Sequence, residues 1–159
     1  MGDKVCIQPC NGITTAMGTV VRQAGYKVCE NLKPGITALG CNPALYHDVD
    51  EDIFFIQEYP VLAIEGCDER CATKLVEMKG EKVAVTIFAP EVLRQAGIDL
   101  EGEQREQLGE KGNKAVDVVA RAAAEGVDRL LLQKEKAKKE PHSAGPESKT
   151  VQHQKNAQR

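Results

Sequence analysis

Cys67 and Cys71 stand four residues apart in the stretch Ile64-Glu65-Gly66-Cys67-Asp68-Glu69-Arg70-Cys71. Thiolates ligate soft and borderline metal ions and act as nucleophiles in sulfur and redox chemistry. The 159-residue chain has six cysteines. Three of them, Cys10, Cys41 and Cys67, lie just after segments that read as β-strands, and Cys71 follows Cys67 by one helical turn. Four thiolates are the number that a closed tetrahedral zinc site requires. The same donors also suit an iron–sulfur cluster, and spacing alone does not choose between the two. Without a metal, Cys10 or Cys67 would be the nucleophile of a thiol-dependent oxidoreductase or sulfurtransferase. Cys6 is set apart, because four residues of extended strand put it ~13 Å from Cys10; it reads as a small buried hydrophobe. Cys29 falls in a polar connection, and His47 reads as a surface-loop residue. No Ser-His-Asp arrangement can be built, since His142 and His153 lie near the end of the chain.

The elements that must position these thiols alternate in period. Lys4-Val5-Cys6-Ile7-Gln8 predicts a strand over about 4–8. Ile13, Ala16, Met17, Val20, Val21 and Ala24 then form one helical stripe, with Asn11 as N-cap and Gly25 as the stop. Further strands are expected at 36–40, at 61–65 and in Lys82-Val83-Ala84-Val85-Thr86-Ile87-Phe88. Helices are expected at 50–59, from Asp68 to Gly80, and at 90–96. Alternating strands and helices predict an α/β fold, a small mostly parallel sheet of about four strands with helices on both faces. In such sheets ligands bind at the carboxyl ends of the strands. The predicted helix carries Cys67 and Cys71 on one face, and its N-terminus, with Arg70, should lower their thiol pKa values. Around the thiols, Asn11, Thr14, Asn42, Glu65 and Asp68 are candidate second-layer groups, able to bond sulfur or to cap helices.

The composition fits this architecture. Hydrophobic residues make up 42% of the chain and aromatics 4%, with no Trp, as expected for a sheet of small aliphatic side chains. Residues 1–100 form the expected metal-binding domain. A helical extension over 101–137 follows, whose apolar stripe from 114 onward either packs back on the sheet or docks on a partner or a second copy. Residues 138–159 read as a basic, disordered tail. Residues 134–159 carry seven Lys/Arg against three Glu, so the rest of the chain is more acidic than the net charge of −3 indicates. An acidic body argues against nucleic-acid binding. No apolar run reaches the ~18 residues needed to cross a bilayer, and no leader pattern is present. These features predict a cytoplasmic protein with reduced cysteines.

Cys10-Asn11-Gly12-Ile13-Thr14-Thr15-Ala16-Met17-Gly18 after a strand, Cys41 in the middle, and Ile64-Glu65-Gly66-Cys67 through Cys71 resemble the DGC family over roughly residues 4–90. That family is named for an Asp-Gly-Cys motif, commonly followed by a second Cys four residues on. Four potential chelating cysteines are the basis of its zinc-binding assignment. The resemblance implies Cys10, Cys41, Cys67 and Cys71 as ligands. Glu65 stands where the name-giving Asp would be, which keeps a carboxylate at the site. Ile13 stands where many relatives have another Cys, which removes a dithiol pair from the first strand's end. The resemblance names no reaction.

Overall fold

The computed structural model describes residues 3–139. Four strands, β1 (Val5–Pro9), β2 (Thr37–Leu39), β3 (Val61–Glu65) and β4 (Val83–Phe88), form one sheet in the order β2-β1-β3-β4. Every pairing is parallel. Helices α1 (Ala16–Lys27), α2 (Asn42–Tyr46), α3 (Asp50–Glu58) and α4 (Cys71–Met78) connect them, and α5 (Ala89–Gln95) and α6 (Glu110–Lys139) follow β4. The expected α/β architecture is present, with helices on both faces of the sheet.

Side-chain alternation explains the layers. Val5, Ile7, Leu62, Ile64 and Ile87 point to one face and share a core with α1, α5 and α6. Cys6 and Val61 point to the other and pack with Leu45, Ile56, Tyr59, Leu75 and Val76 of the α2–α4 layer. β1 and β3 are central strands and are buried along their whole length.

Three helices differ from the sequence expectation. α1 begins at Ala16 after an extended Thr15, so Asn11 is not its N-cap and Ile13 precedes it, 73% exposed. Ile13 matches the helical period, but residues 10–15 are committed to the loop that leaves β1. Gly25 does not end α1, which continues into a π-type turn over Val28–Leu32. Gly25 lies instead against Pro9, where an added Cβ would sit 3.2 Å from the ring. That turn also half-buries Cys29 among core side chains. α4 begins only at Cys71, because Arg70 takes a left-handed conformation (φ 49°) that no helix continues through. Cys67 therefore lies in the turn before the helix and does not share a helical face with Cys71.

α6 starts at Glu110, one turn earlier than expected. Its stripe of Ala115, Val116, Val119, Ala120, Ala123 and Val127 is buried in the same core as β1 and β3. This apolar stripe is thus covered within the chain. Gly126 permits this close approach, since an added Cβ would lie 2.7 Å from Leu62 Cδ1. The helix includes Lys138 and Lys139; the rest of the predicted tail lies outside the described residues. No helix among the described residues is long and apolar enough to cross a membrane.

Candidate metal centre

The strand order locates the crevice. β1 connects to β2 on one side of itself, whereas β3 connects to β4 on the other, so the topological switch lies between the adjacent strands β1 and β3. Loops that leave two such strands diverge and open a cleft at their carboxyl ends. Cys10 is the first residue beyond β1, and Cys67 is the second beyond β3. The Cys10 N–H extends the ladder by donating to the Ile64 carbonyl at 2.8 Å, which sets Cys10 beside the last turn of β3. Cys10 is 4% exposed, whereas Cys67 and Cys71 are exposed.

The loops are held by specific contacts. Gly18 of α1 presses on the loop after Cys10, where an added Cβ would stand 1.9 Å from the Gly12 oxygen. Arg22 donates from Nη1 to the same oxygen at 3.2 Å. Thr14 meets the 101–109 segment through its carbonyl, which accepts from Arg105 Nη1 at 3.4 Å. After β3, the Arg70 N–H donates to the Cys67 carbonyl at 3.2 Å and tightens the turn between the two cysteines. The Arg70 guanidinium sits over the Phe88 ring, 5.6 Å from its centroid. Asp68 is exposed in that turn, and Asn11 is half-exposed beside Cys10.

Cys41 occupies the end of β2, on the far side of β1 from β3. Its N–H donates to Asp52 Oδ1 at 2.7 Å. Asn42 bridges to β1, donating from Nδ2 to the Pro9 carbonyl at 2.9 Å and accepting from Gln8 Nε2. Asn42 therefore ties two strand ends together. Gln8 was not anticipated as a site residue, although a Gln inside an apolar strand was the available signal. It is 1% exposed, and a buried amide must find partners.

Glu65 is the most unusual group in the cleft. It is fully buried at the end of β3. Its Oε1 accepts from the Thr73 N–H at 2.7 Å and from the Thr73 hydroxyl at 2.8 Å, so it caps the first turn of α4. Its Oε2 accepts no hydrogen bond from any described residue. Thr73 had no sequence signal at all, because only the tertiary approach of β3 to α4 makes it a partner.

The electrostatics reverse one expectation. The Cys71 thiol is pushed above its ordinary pKa, first by partial burial and then by Cys10, Cys67 and Glu65; Lys74 opposes the shift. Arg70 does not offset it, because its guanidinium is turned toward Phe88. Cys71 thus lies within electrostatic reach of Cys10, Cys67 and Glu65. Such a collection of acidic donors favours a bound cation, which replaces their protons. Among the described residues, no three Cys, His, Asp or Glu side chains already meet at ligating geometry. The donor chemistry is that of a thiophilic ion's ligands, and Cys67 and Cys71 are exposed. His47 lies at the end of α2, exposed, with its ring edge-on to Tyr46.

The model of the DGC domain family matches residues 6–112, two-thirds of the chain. The chain belongs to the DGC domain family. Compared with curated proteins and with solved structures, it finds no match. The DGC domain match takes in β1 from Cys6, the other three strands, both sides of the switch point and the first residues of α6. Cys10, Cys41, Cys67 and Cys71 all fall inside it.

Proposed function

We propose that this DGC-domain protein binds a metal ion, zinc, through cysteine thiolates at the carboxyl edge of its sheet, and acts in metal or sulfur handling or within a complex. The observation that carries the reading is the gathering of Cys10, Cys67 and Cys71 around the β1/β3 switch point, each within electrostatic reach of the Cys71 sulfur. Zinc, when bound, would supply a fixed charge that stabilises thiolates without redox chemistry. The chain supplies the loops that leave β1 and β3 and a first helical turn anchored by Glu65.

The test is the metal and labile sulfide content of full-length protein purified anaerobically without added metal. The Cys67→Ser/Cys71→Ser variant is measured beside it. Zinc in stoichiometric amount, lost in the variant, is the expected result. Iron with sulfide would replace zinc by a cluster and make the protein an electron-transfer or cluster-handling protein. A metal-free protein with reactive thiols would overturn the metal reading in favour of thiol chemistry at Cys10 or Cys67.

A further inference from the structure

Resting on the metal-centre reading, we infer that the ion is a cargo held at an open edge and not a structural element: the chain reaches its fold without metal and exchanges the ion through its exposed thiols. A closed four-cysteine site, which the family resemblance implies, would instead tie the three cysteine-bearing loops together.

The first argument is what holds those loops. After β1, the Cys10 N–H donates to the Ile64 carbonyl, and the Gly12 oxygen accepts from Arg22 Nη1. After β2, the Gly40 N–H donates to the Ile7 carbonyl at 2.9 Å, and the Cys41 N–H donates to Asp52 Oδ1. Asn42 Nδ2 adds a bond to the Pro9 carbonyl. After β3, Gly66 packs on Met17 and Val21 of α1, whose side chains would lie 3.3 and 3.4 Å from an added Cβ. The buried Glu65 ties the same strand end to α4 through Thr73, and Arg70 sits over Phe88. No sulfur takes part in any of these contacts. Removing an ion therefore leaves every one of these tethers in place.

The second argument is the core. A metal becomes folding energy where a chain is too short to bury enough apolar surface by itself. Here each face of the sheet has its own apolar cluster, with α1, α5 and α6 on one side and α2–α4 on the other. Cys10 belongs to the first of these as a buried side chain. The third argument is access. Cys41, Cys67 and Cys71 are exposed. Among the described residues no three Cys, His, Asp or Glu side chains already meet, so a ligand set assembles only as the ion arrives. An acceptor with its own sulfur or nitrogen donors can approach that edge while the sheet stays folded. Such release is a ligand substitution with no redox step, in which each freed thiolate takes a proton from solvent.

The test compares full-length protein stripped by a chelator, under anaerobic reducing conditions, with the same protein loaded with zinc. The stripped chain should keep the far-UV circular dichroism of the loaded one and unfold in urea in a single cooperative transition. Cys6, fully buried in the central strand β1, should be alkylated in the stripped chain at least about 1,000-fold more slowly than in urea-unfolded chain, as for a side chain that reacts only on global opening. Cys67→Ser/Cys71→Ser should lower zinc uptake yet unfold at the urea midpoint of the stripped wild type. Zinc passing to a colorimetric chelator should leave at a rate that does not follow global unfolding as urea is raised. A stripped chain that loses its helical signal, or zinc released only as fast as the chain unfolds, would overturn the inference while leaving a metal centre standing. A wild-type chain that takes up no zinc would overturn both.

Discussion

Replacing Gly18 by Ala tests whether the Cys10 loop is set by backbone contact with α1. The added Cβ would stand 1.9 Å from the Gly12 oxygen and 2.6 Å from its carbonyl carbon, so loop and helix must separate by more than ~1 Å. The obstructing atoms are backbone, held by Arg22 Nη1 at the Gly12 oxygen and by the Cys10–Ile64 hydrogen bond upstream. Overpacking of this kind costs ~1–3 kcal/mol, and a tethered backbone puts it at the upper end. Helix propensity returns ~1 kcal/mol for Gly to Ala. The net destabilisation is therefore about 2 kcal/mol. Gly126→Ala is the matched control, because its Cβ would crowd the Leu62 methyl at 2.7 Å, the far end of a flexible side chain, and touch Val85 and Ile87 at ordinary contact distance. There the propensity gain nearly offsets the repacking, giving a change within ~1 kcal/mol. Equilibrium unfolding in urea measures both. Alkylation of Cys10, which is 4% exposed in the native chain, should also accelerate in Gly18→Ala. Equal stability of the two variants, with Cys10 still protected, would refute the argument that this contact holds the loop.

Asn42→Ala leaves Gln8 Nε2 and the Pro9 carbonyl without their partner, which should cost ~1–3 kcal/mol and raise amide exchange in the Cys41 loop. Adding Gln8→Leu should recover part of that loss in a double-mutant cycle, because the orphaned amide is then gone. The thiol of Cys6 is pushed up to about 12, first by burial and then by Asp52 and Cys29. The unfolded chain ionises near the ordinary 9.0 while the folded chain keeps its proton, so Cys6 causes no loss below that value. Stability then falls as pH rises toward 12, by up to ~4 kcal/mol at 1.36 kcal/mol per unit. Cys29 contributes with the same sign, its pKa being raised chiefly by burial. A Cys6→Ala chain, measured by urea unfolding from pH 8 to 11, should lose stability less steeply than the wild type. Matching slopes would show that Cys6 ionises freely in the folded state.

The sheet could be read from residue order because each strand is a short β-branched run bounded by Pro or Gly; β3 falls at 61–65 as expected. Helix boundaries were less accessible. The Ile13 spacing fits α1, yet the β1 loop claims that residue. Arg70 delays α4 by a left-handed backbone that no residue type announces. No helix was expected between β2 and 50, yet the five-residue α2 opens at Asn42. At the site, cysteines after strands were visible because strand ends of a parallel sheet converge. Gln8, Thr73 and the unpaired oxygen of Glu65 depend on which strand meets which helix. The direction of the Cys71 shift was misread for the same reason: local sequence places Arg70 beside it, but folding brings Cys10 and Glu65 there instead.

The central claim is that thiols from the ends of β1 and β3 bind one ion together. The most direct measurement titrates zinc into the anaerobically reduced full-length chain and maps the rate of alkylation at each cysteine by mass spectrometry. The account predicts that Cys10, Cys67 and Cys71 become protected together, along one curve that saturates at a single zinc per chain. Unchanged alkylation of Cys67 and Cys71 at saturating zinc would contradict it.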